Sequence, residues 1–176
     1  PGFTAFAPDL YHGRIADSIP AAEALGKALD ANEHQARAEI AGAANFLIGR
    51  TGRSDRGLAV IGFSLGAYYA LELSVSAPEM VHSAVVFYGT GVEDFSGSRA
   101  AYLGHFAEND QYEPRSSVDE VEESLRSAGR PVTFYHYSGT SHWFCEPDRP
   151  DAYDEAAASL AWERTVDFLK RSLGGR

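Results

Sequence analysis

The sequence predicts an α/β fold, a mostly parallel sheet with helices on both faces, through three observations. Short β-rich runs alternate with longer helical patterns along the chain, as expected of parallel strands joined by helical crossovers. The run Leu58-Ala-Val-Ile61 is apolar throughout, the pattern of a strand covered on both faces. Near the carboxyl end, Ala158, Trp162, Thr165 and Leu169 recur at steps of three and four, with Ala161 and Phe168 widening the stripe, so one face of a helix is expected to pack on the sheet.

Taken in order, the expected elements are a strand at Phe3 to Ala7, a helix from about Glu33 to Ile48, the strand Leu58 to Ile61, and a helix from about Leu65. A strand at Ser83 to Tyr88 follows, then one at Tyr102 to Ala107, a charged helix from about Ser117 to Ala128, the strand Val132 to Tyr137 and a helix from about Tyr153 to Leu173. No internal repeat or low-complexity segment interrupts them.

Composition narrows the function classes. A chain of 176 residues, 44% hydrophobic and 23% charged, suits one globular domain spanning residues 1–176. No stretch is long and apolar enough to span a bilayer, so no membrane partner is expected. A formal net charge of -10 argues against a nucleic-acid partner, because phosphate binding needs clustered lysine and arginine. With Cys145 the single cysteine, no intrachain disulfide can form, and a cytoplasmic setting fits. Pro1 already stands in the first expected strand, which leaves room for an upstream targeting segment.

The pentapeptide Gly62-Phe-Ser64-Leu-Gly66 lies between an apolar strand and a helix-forming stretch. A strand that reverses sharply into a helix strains its central residue and exposes that side chain above the sheet; glycines two positions away relieve the crowding. Ser64 would then be a nucleophile, where the simpler reading makes it a helix cap. A serine hydroxyl needs a histidine base and a third group to orient the imidazole. His142 follows the strand Val132 to Tyr137, and Asp110 follows the strand Tyr102 to Ala107. Both emerge at the carboxyl edge of the sheet, where open α/β sheets gather their active sites. Singly, such residues are solvated histidines and turn-forming aspartates; together, in the order Ser, Asp, His, they reinforce one another. His34, His82, His105 and His136 read as structural, and His12 stays open.

The segment Ala7-Pro-Asp-Leu-Tyr-His-Gly13, the elbow, the Asp110 and His142 loops and the run Ala161-Trp-Glu-Arg-Thr-Val-Asp-Phe168 together resemble the dienelactone hydrolase family. The resemblance runs from Phe3 onward and implies an α/β-hydrolase fold. It further implies Ser64 as nucleophile, His142 as base and then acid, Asp110 as its orienting carboxylate and the Leu65 amide as one oxyanion donor. The family's best-known members carry cysteine at the elbow, so serine here implies a serine ester hydrolase. Members that cleave dienelactone hold the substrate carboxylate with two arginines. Arg14 stands one residue beyond the first of those positions, and Glu146 occupies the second, where it would repel an anion. Arg149 could reach back to compensate. Tyr11, His12, Phe63, Trp143 and Phe144 flank the motifs and could line a partly apolar site, Tyr11, Arg14 and Trp143 being the substrate-binding candidates.

By the same resemblance, about three strands and a helix should precede Phe3, so the domain is expected to be incomplete at its amino terminus. One absent strand would lie between Phe3 to Ala7 and Leu58 to Ile61. Either those two strands close up through a right-handed crossover, or another part, such as a second copy in a homo-oligomer, covers the edge. The second oxyanion donor would also come from the absent region.

The expected chemistry is acyl transfer from a small ester or lactone to water, which needs no metal and no organic cofactor. His142 and Cys145 offer too few ligands for zinc, and Cys145 reads as a small packed residue. A non-catalytic scaffold that binds a ligand or a protein is the competing reading; it has no chemical reason to keep Ser64, Asp110 and His142.

Overall fold

The computed structural model describes residues 2–51 and 57–173, which fall into two compact units, Pro1–Arg53 and Ser54–Arg176. The amino-terminal unit holds α1 (Ile19–Asp30) and α2 (Glu33–Thr51). Pro20 near its start fits α1, because the first turn needs no donor from proline's nitrogen; this helix was not among the sequence expectations. The Phe3 to Ala7 segment is not a strand. A strand exists only through a ladder partner, and this segment has none among the described residues. It instead sets Phe6 against Phe46 of α2, ring centroids 4.9 Å apart. A turn follows in which the Asp9 carboxylate accepts from the Tyr11 and Gly13 amides at 3.0 and 2.6 Å, with His12 and Gly13 at positive φ. His12 pairs with Glu39 of α2 at 3.0 Å on the surface.

The carboxyl-terminal unit is built on β1 (Leu58–Phe63), β2 (Val81–Phe87), β3 (Ala101–Asn109) and β4 (Val132–Ser141), all parallel and in sequence order across the sheet. The crossovers are α3 (Leu65–Ser76) from β1 to β2 and α4 (Arg115–Ser127) from β3 to β4, while α5 (Glu155–Leu173) closes the unit. Alternation along the strands separates the two faces. Val85, Phe87, Leu103 and Tyr137 join Ala158, Ala161 and Leu169 of α5 in one buried cluster. On the opposite face the Tyr102 hydroxyl meets Ser74 of α3 at 2.7 Å, and His136 senses Arg115, Asp119 and Glu122 of α4.

Position in the sheet corrects one expectation. β2, flanked on both sides, is buried along nearly its whole length, whereas β1 is an edge of this sheet, with Ile61 40% and Phe63 36% exposed. Trp162 likewise sits at the rim of the α5 stripe, 42% exposed, its ring 6.1 Å from Phe63.

His105 lies at the centre of the α5 face with no exposed surface. Its Nδ1 meets the Tyr137 hydroxyl at 2.8 Å and its Nε2 the Thr165 hydroxyl at 2.9 Å. Arg164 donates to the Tyr137 oxygen at 3.2 Å, so the Tyr137 proton is free to go to Nδ1, and the ring fits the neutral tautomer protonated at Nε2. Its structural reading from sequence agrees with this packing.

Candidate active site

Each candidate group leaves the sheet at the same edge, and the strand register explains why they meet. At the end of β1, Phe63 pairs with Phe87, and the Ser64 amide then donates to the Phe87 carbonyl at 3.0 Å. Ser64 adopts φ 50° and ψ -120° immediately before α3 begins at Leu65, a strained conformation for a non-glycine residue. A β-carbon on Gly62 would fall 2.1 Å from the Gly66 carbonyl oxygen, so the close approach of strand and helix requires glycine there. At Gly66 an added β-carbon meets nothing within 4 Å; the crowding expected at both glycines is confined to the first. Gly62→Ala is therefore expected to cost roughly 3 kcal/mol or more, and Gly66→Ala to be neutral or slightly stabilising through its helix propensity. Urea unfolding of the two variants checks the pair.

Gly89, just past β2, is a supporting position that sequence reasoning missed. A β-carbon on it would lie 2.5 Å from the Ser64 carbonyl oxygen and 2.6 Å from the Ala67 side chain. The loop after β2 is thus pressed against the elbow from behind.

Asp110 and His142 are brought together by an irregularity in the β3/β4 ladder. Ala107 pairs with Tyr137, but Asn109 pairs with Ser141, so β4 bulges over residues 138–140. Gly139 takes φ 76° there, and its amide donates to Glu108 at 2.8 Å. The bulge re-aims the strand end, and the next residues of the two strands, Asp110 and His142, emerge side by side. His142 Nδ1 lies 2.9 and 2.8 Å from the two Asp110 oxygens, and its Nε2 lies 2.9 Å from Ser64 Oγ. The His142 and Asp110 side chains are only 3% and 2% exposed.

The Asp110 carboxylate also accepts from the Tyr112 and Glu113 amides at 2.9 and 3.0 Å. Burial pushes its carboxyl up, but the bond from His142, the two amides and the neighbouring imidazole outweigh burial and hold it below the usual carboxylate range. An ionised Asp110 fixes the proton of His142 on Nδ1 and leaves Nε2 free to accept from Ser64. The amide of Leu65, in the first turn of α3, has no intrahelical acceptor, and the helix places its positive end at Ser64.

Aromatic rings surround the imidazole. Tyr88 and Tyr112 have centroids 4.9 Å from it, and Trp143 lies 4.8 Å away. Neither Tyr88 nor Tyr112 was singled out as a site residue from the sequence, where Tyr88 closes an expected strand and Tyr112 is one aromatic residue in a loop. Trp143 has φ 68°, and the buried Phe144 anchors the loop behind it. Arg149 covers the Trp143 ring at 4.0 Å while its guanidinium binds both Asp151 oxygens, at 3.0 and 2.7 Å. The reach of Arg149 is thus spent on Trp143 and Asp151. Cys145 is buried, and burial, reinforced by Glu146, pushes its thiol up to about 12, the state of an inert packed cysteine. Tyr11 and Arg14 belong to the amino-terminal unit, where the Arg14 side chain donates to the Tyr11 carbonyl at 3.1 Å.

A parallel sheet with helices on both faces, whose serine elbow follows β1 and whose acid and histidine follow β3 and β4, defines the α/β-hydrolase class. The chain belongs to the dienelactone hydrolase family, whose model matches residues 1–173, and it is by that membership an ester- or lactone-cleaving hydrolase. It is 29% identical over 177 residues to "Protein usf" of Aquifex pyrophilus, a match spanning 98% of this chain and 76% of that protein. Over 129 residues it is 29% identical to a carboxymethylenebutenolidase of Rhodococcus opacus, covering 65% of this chain and 50% of the relative. Among solved structures, the dienelactone hydrolase-like promiscuous phosphotriesterase P91 from metagenomic libraries superposes with a TM-score of 0.82 at 16% identity, covering 94% of this chain and 73% of its own. No helix among the described residues is long and apolar enough to cross a membrane.

Proposed function

We propose that this chain hydrolyses a small ester or lactone through an acyl-enzyme on Ser64. The observation that carries the proposal is the unbroken line of hydrogen bonds from Ser64 Oγ through the imidazole to Asp110, 2.9 Å and 2.8 Å long. Ser64 Oγ attacks the carbonyl carbon as His142 Nε2 takes its proton. The Leu65 amide and the positive end of α3 stabilise the oxygen that gains charge. His142 then returns the proton to the leaving alcohol, and the acyl group stays on Ser64. A water molecule, deprotonated by the same nitrogen, releases the acid and regenerates the serine. Asp110 holds the ring in one tautomer throughout. Trp143 lines the approach to the reacting carbonyl; Tyr11 and Arg14 are not needed for these steps. A cytoplasmic setting accords with the free buried thiol of Cys145.

The test is the intermediate itself. Mixing the protein with excess para-nitrophenyl acetate is expected to release a burst of nitrophenol approaching one equivalent, with an acetyl group on the peptide bearing Ser64 in the acid-quenched digest. Turnover without any adduct on that peptide would overturn the mechanism.

A further inference from the structure

The charges around the imidazole are mostly negative. Glu146 is half-buried beside it: its Oε1 accepts from the Tyr88 hydroxyl at 3.0 Å, and the Tyr88 ring rests against His142. Burial first and then the Glu146 charge push the Tyr88 phenol well above its ordinary range, so it remains a donor at all ordinary pH. On the other side, Glu113 accepts from the Thr90 hydroxyl at 2.6 Å and lends its amide to Asp110. Asp110, Glu113 and Glu146 all interact electrostatically with His142. The nearby cation, Arg149, is already matched by Asp151 through two bonds and lies over Trp143. A carboxylate entering this surround meets uncompensated negative charge in a partly water-excluded place, where screening is weak.

We infer that the site takes an ester whose acyl part is uncharged, and that Glu146, held in place by Tyr88, is the residue that excludes acyl groups bearing a second carboxylate. The inference rests on the hydrolytic reading above but concerns charge selection alone. Tyr88 and Thr90 each spend a hydroxyl on fixing an acid at this rim, which distinguishes Glu113 and Glu146 from freely solvated surface carboxylates. A neutral acyl chain has no such conflict and can lie against the rings of Tyr112 and Trp143, whose centroids are 5.1 Å apart.

The experiment compares para-nitrophenyl valerate with para-nitrophenyl hemiglutarate, which differ in a terminal methyl against a carboxylate. Burial pushes the Glu113 and Glu146 carboxyls above the usual carboxylate range, so rates are taken at about pH 8, which favours their ionised forms, with the Ser64→Ala protein subtracted as background. The expected wild-type kcat/KM favours valerate by about tenfold or more at low ionic strength. Addition of salt is expected to narrow that ratio, and Glu146→Gln, whose side chain can still accept from Tyr88, to bring it within about threefold. A ratio near one in the wild type, or an unchanged ratio in Glu146→Gln, overturns the inference. The wild-type salt dependence tests it even if the variant fails to fold. If neither ester turns over above background, it is the hydrolytic reading that fails. The two esters are then compared by the Kd each gives in quenching tryptophan fluorescence, where equal values overturn charge selection and a weaker hemiglutarate supports it.

Discussion

Ser64→Ala is expected to lower kcat/KM for para-nitrophenyl acetate by about 10⁴ to 10⁶-fold, and His142→Ala to do nearly the same. On the proposed mechanism the two side chains form one device: Ser64 Oγ is 2.9 Å from the nitrogen that would take its proton. Removing either leaves the other without a task, so the double variant is expected to be no slower than the single ones. Asp110→Asn separates orientation from proton transfer. An asparagine amide would donate to His142 Nδ1, place the imidazole proton on Nε2 facing Ser64 and remove the base, lowering turnover by about 10⁴-fold with the fold intact. Initial rates, with urea unfolding of each variant, check the set. Rates within a few-fold of wild type in all three would return the chain to the scaffold reading, in which the rim binds and does not react.

The second large effect is on stability in acid. Burial, assisted by the charge of Arg164, depresses the His105 imidazole to about 3, whereas the unfolded chain protonates it near 6.5. Above pH 6.5 neither state binds the proton, and the full stability is present. As pH falls below 6.5 the unfolded state gains a proton that the folded state refuses, at about 1.4 kcal/mol for each pH unit. The loss is about 2 kcal/mol at pH 5 and about 4 kcal/mol at pH 3, where the folded state has itself begun to take the proton, a large part of an ordinary domain's stability. His136, lowered by burial and by Arg115, adds a smaller loss of the same sign. Asp110 acts further down: its contribution is present above 3.8 and disappears as pH falls through its lower folded value. Urea midpoints at about pH 7.5 and about pH 5 measure the effect. His105→Gln, whose amide can replace the bonds to Tyr137 and Thr165, is expected to be less stable at neutral pH but to lose about 2 kcal/mol less across that interval. Parallel losses in the two proteins would show that the proton uptake lies elsewhere.

What could be read from the sequence follows from which features are local. Ser64, Asp110 and His142 were legible as neighbours because each stands within a few residues past the apolar or aromatic run of a strand, and the parallel fold delivers such positions to one edge. The elbow was legible because its glycine requirement is set within the pentapeptide, although only Gly62 proves to be crowded. Contacts made through space left weaker marks. Gly89 reads as a loop glycine until the Ser64 carbonyl is found against it, and Tyr88 and Tyr112 become neighbours of the imidazole only through the β4 bulge. The Leu58 to Ile61 run suggested a doubly covered strand because its residues are apolar, yet its place at the edge of the sheet is a tertiary property. Phe3 to Ala7 has the composition of a strand and lacks the partner that would make it one. For α1 a local signal was available, Ser18 followed two residues later by Pro20, a common way to open a helix.

The arrangement of the strand ends has a wider consequence. Ser64, Asp110 and His142 are each tied to a hydrogen-bonded ladder, whereas Thr90, Tyr112 and Glu146 belong to the stretches that arch beyond it. The three side chains are therefore spaced by the sheet as marks on a ruler, and although the backbone of Tyr112 and Glu113 steadies Asp110, the side chains that the arches carry can be exchanged without moving the three. On the proposed hydrolytic reading, substitutions along those arches change which molecules are admitted and leave the bond-breaking machinery where it is.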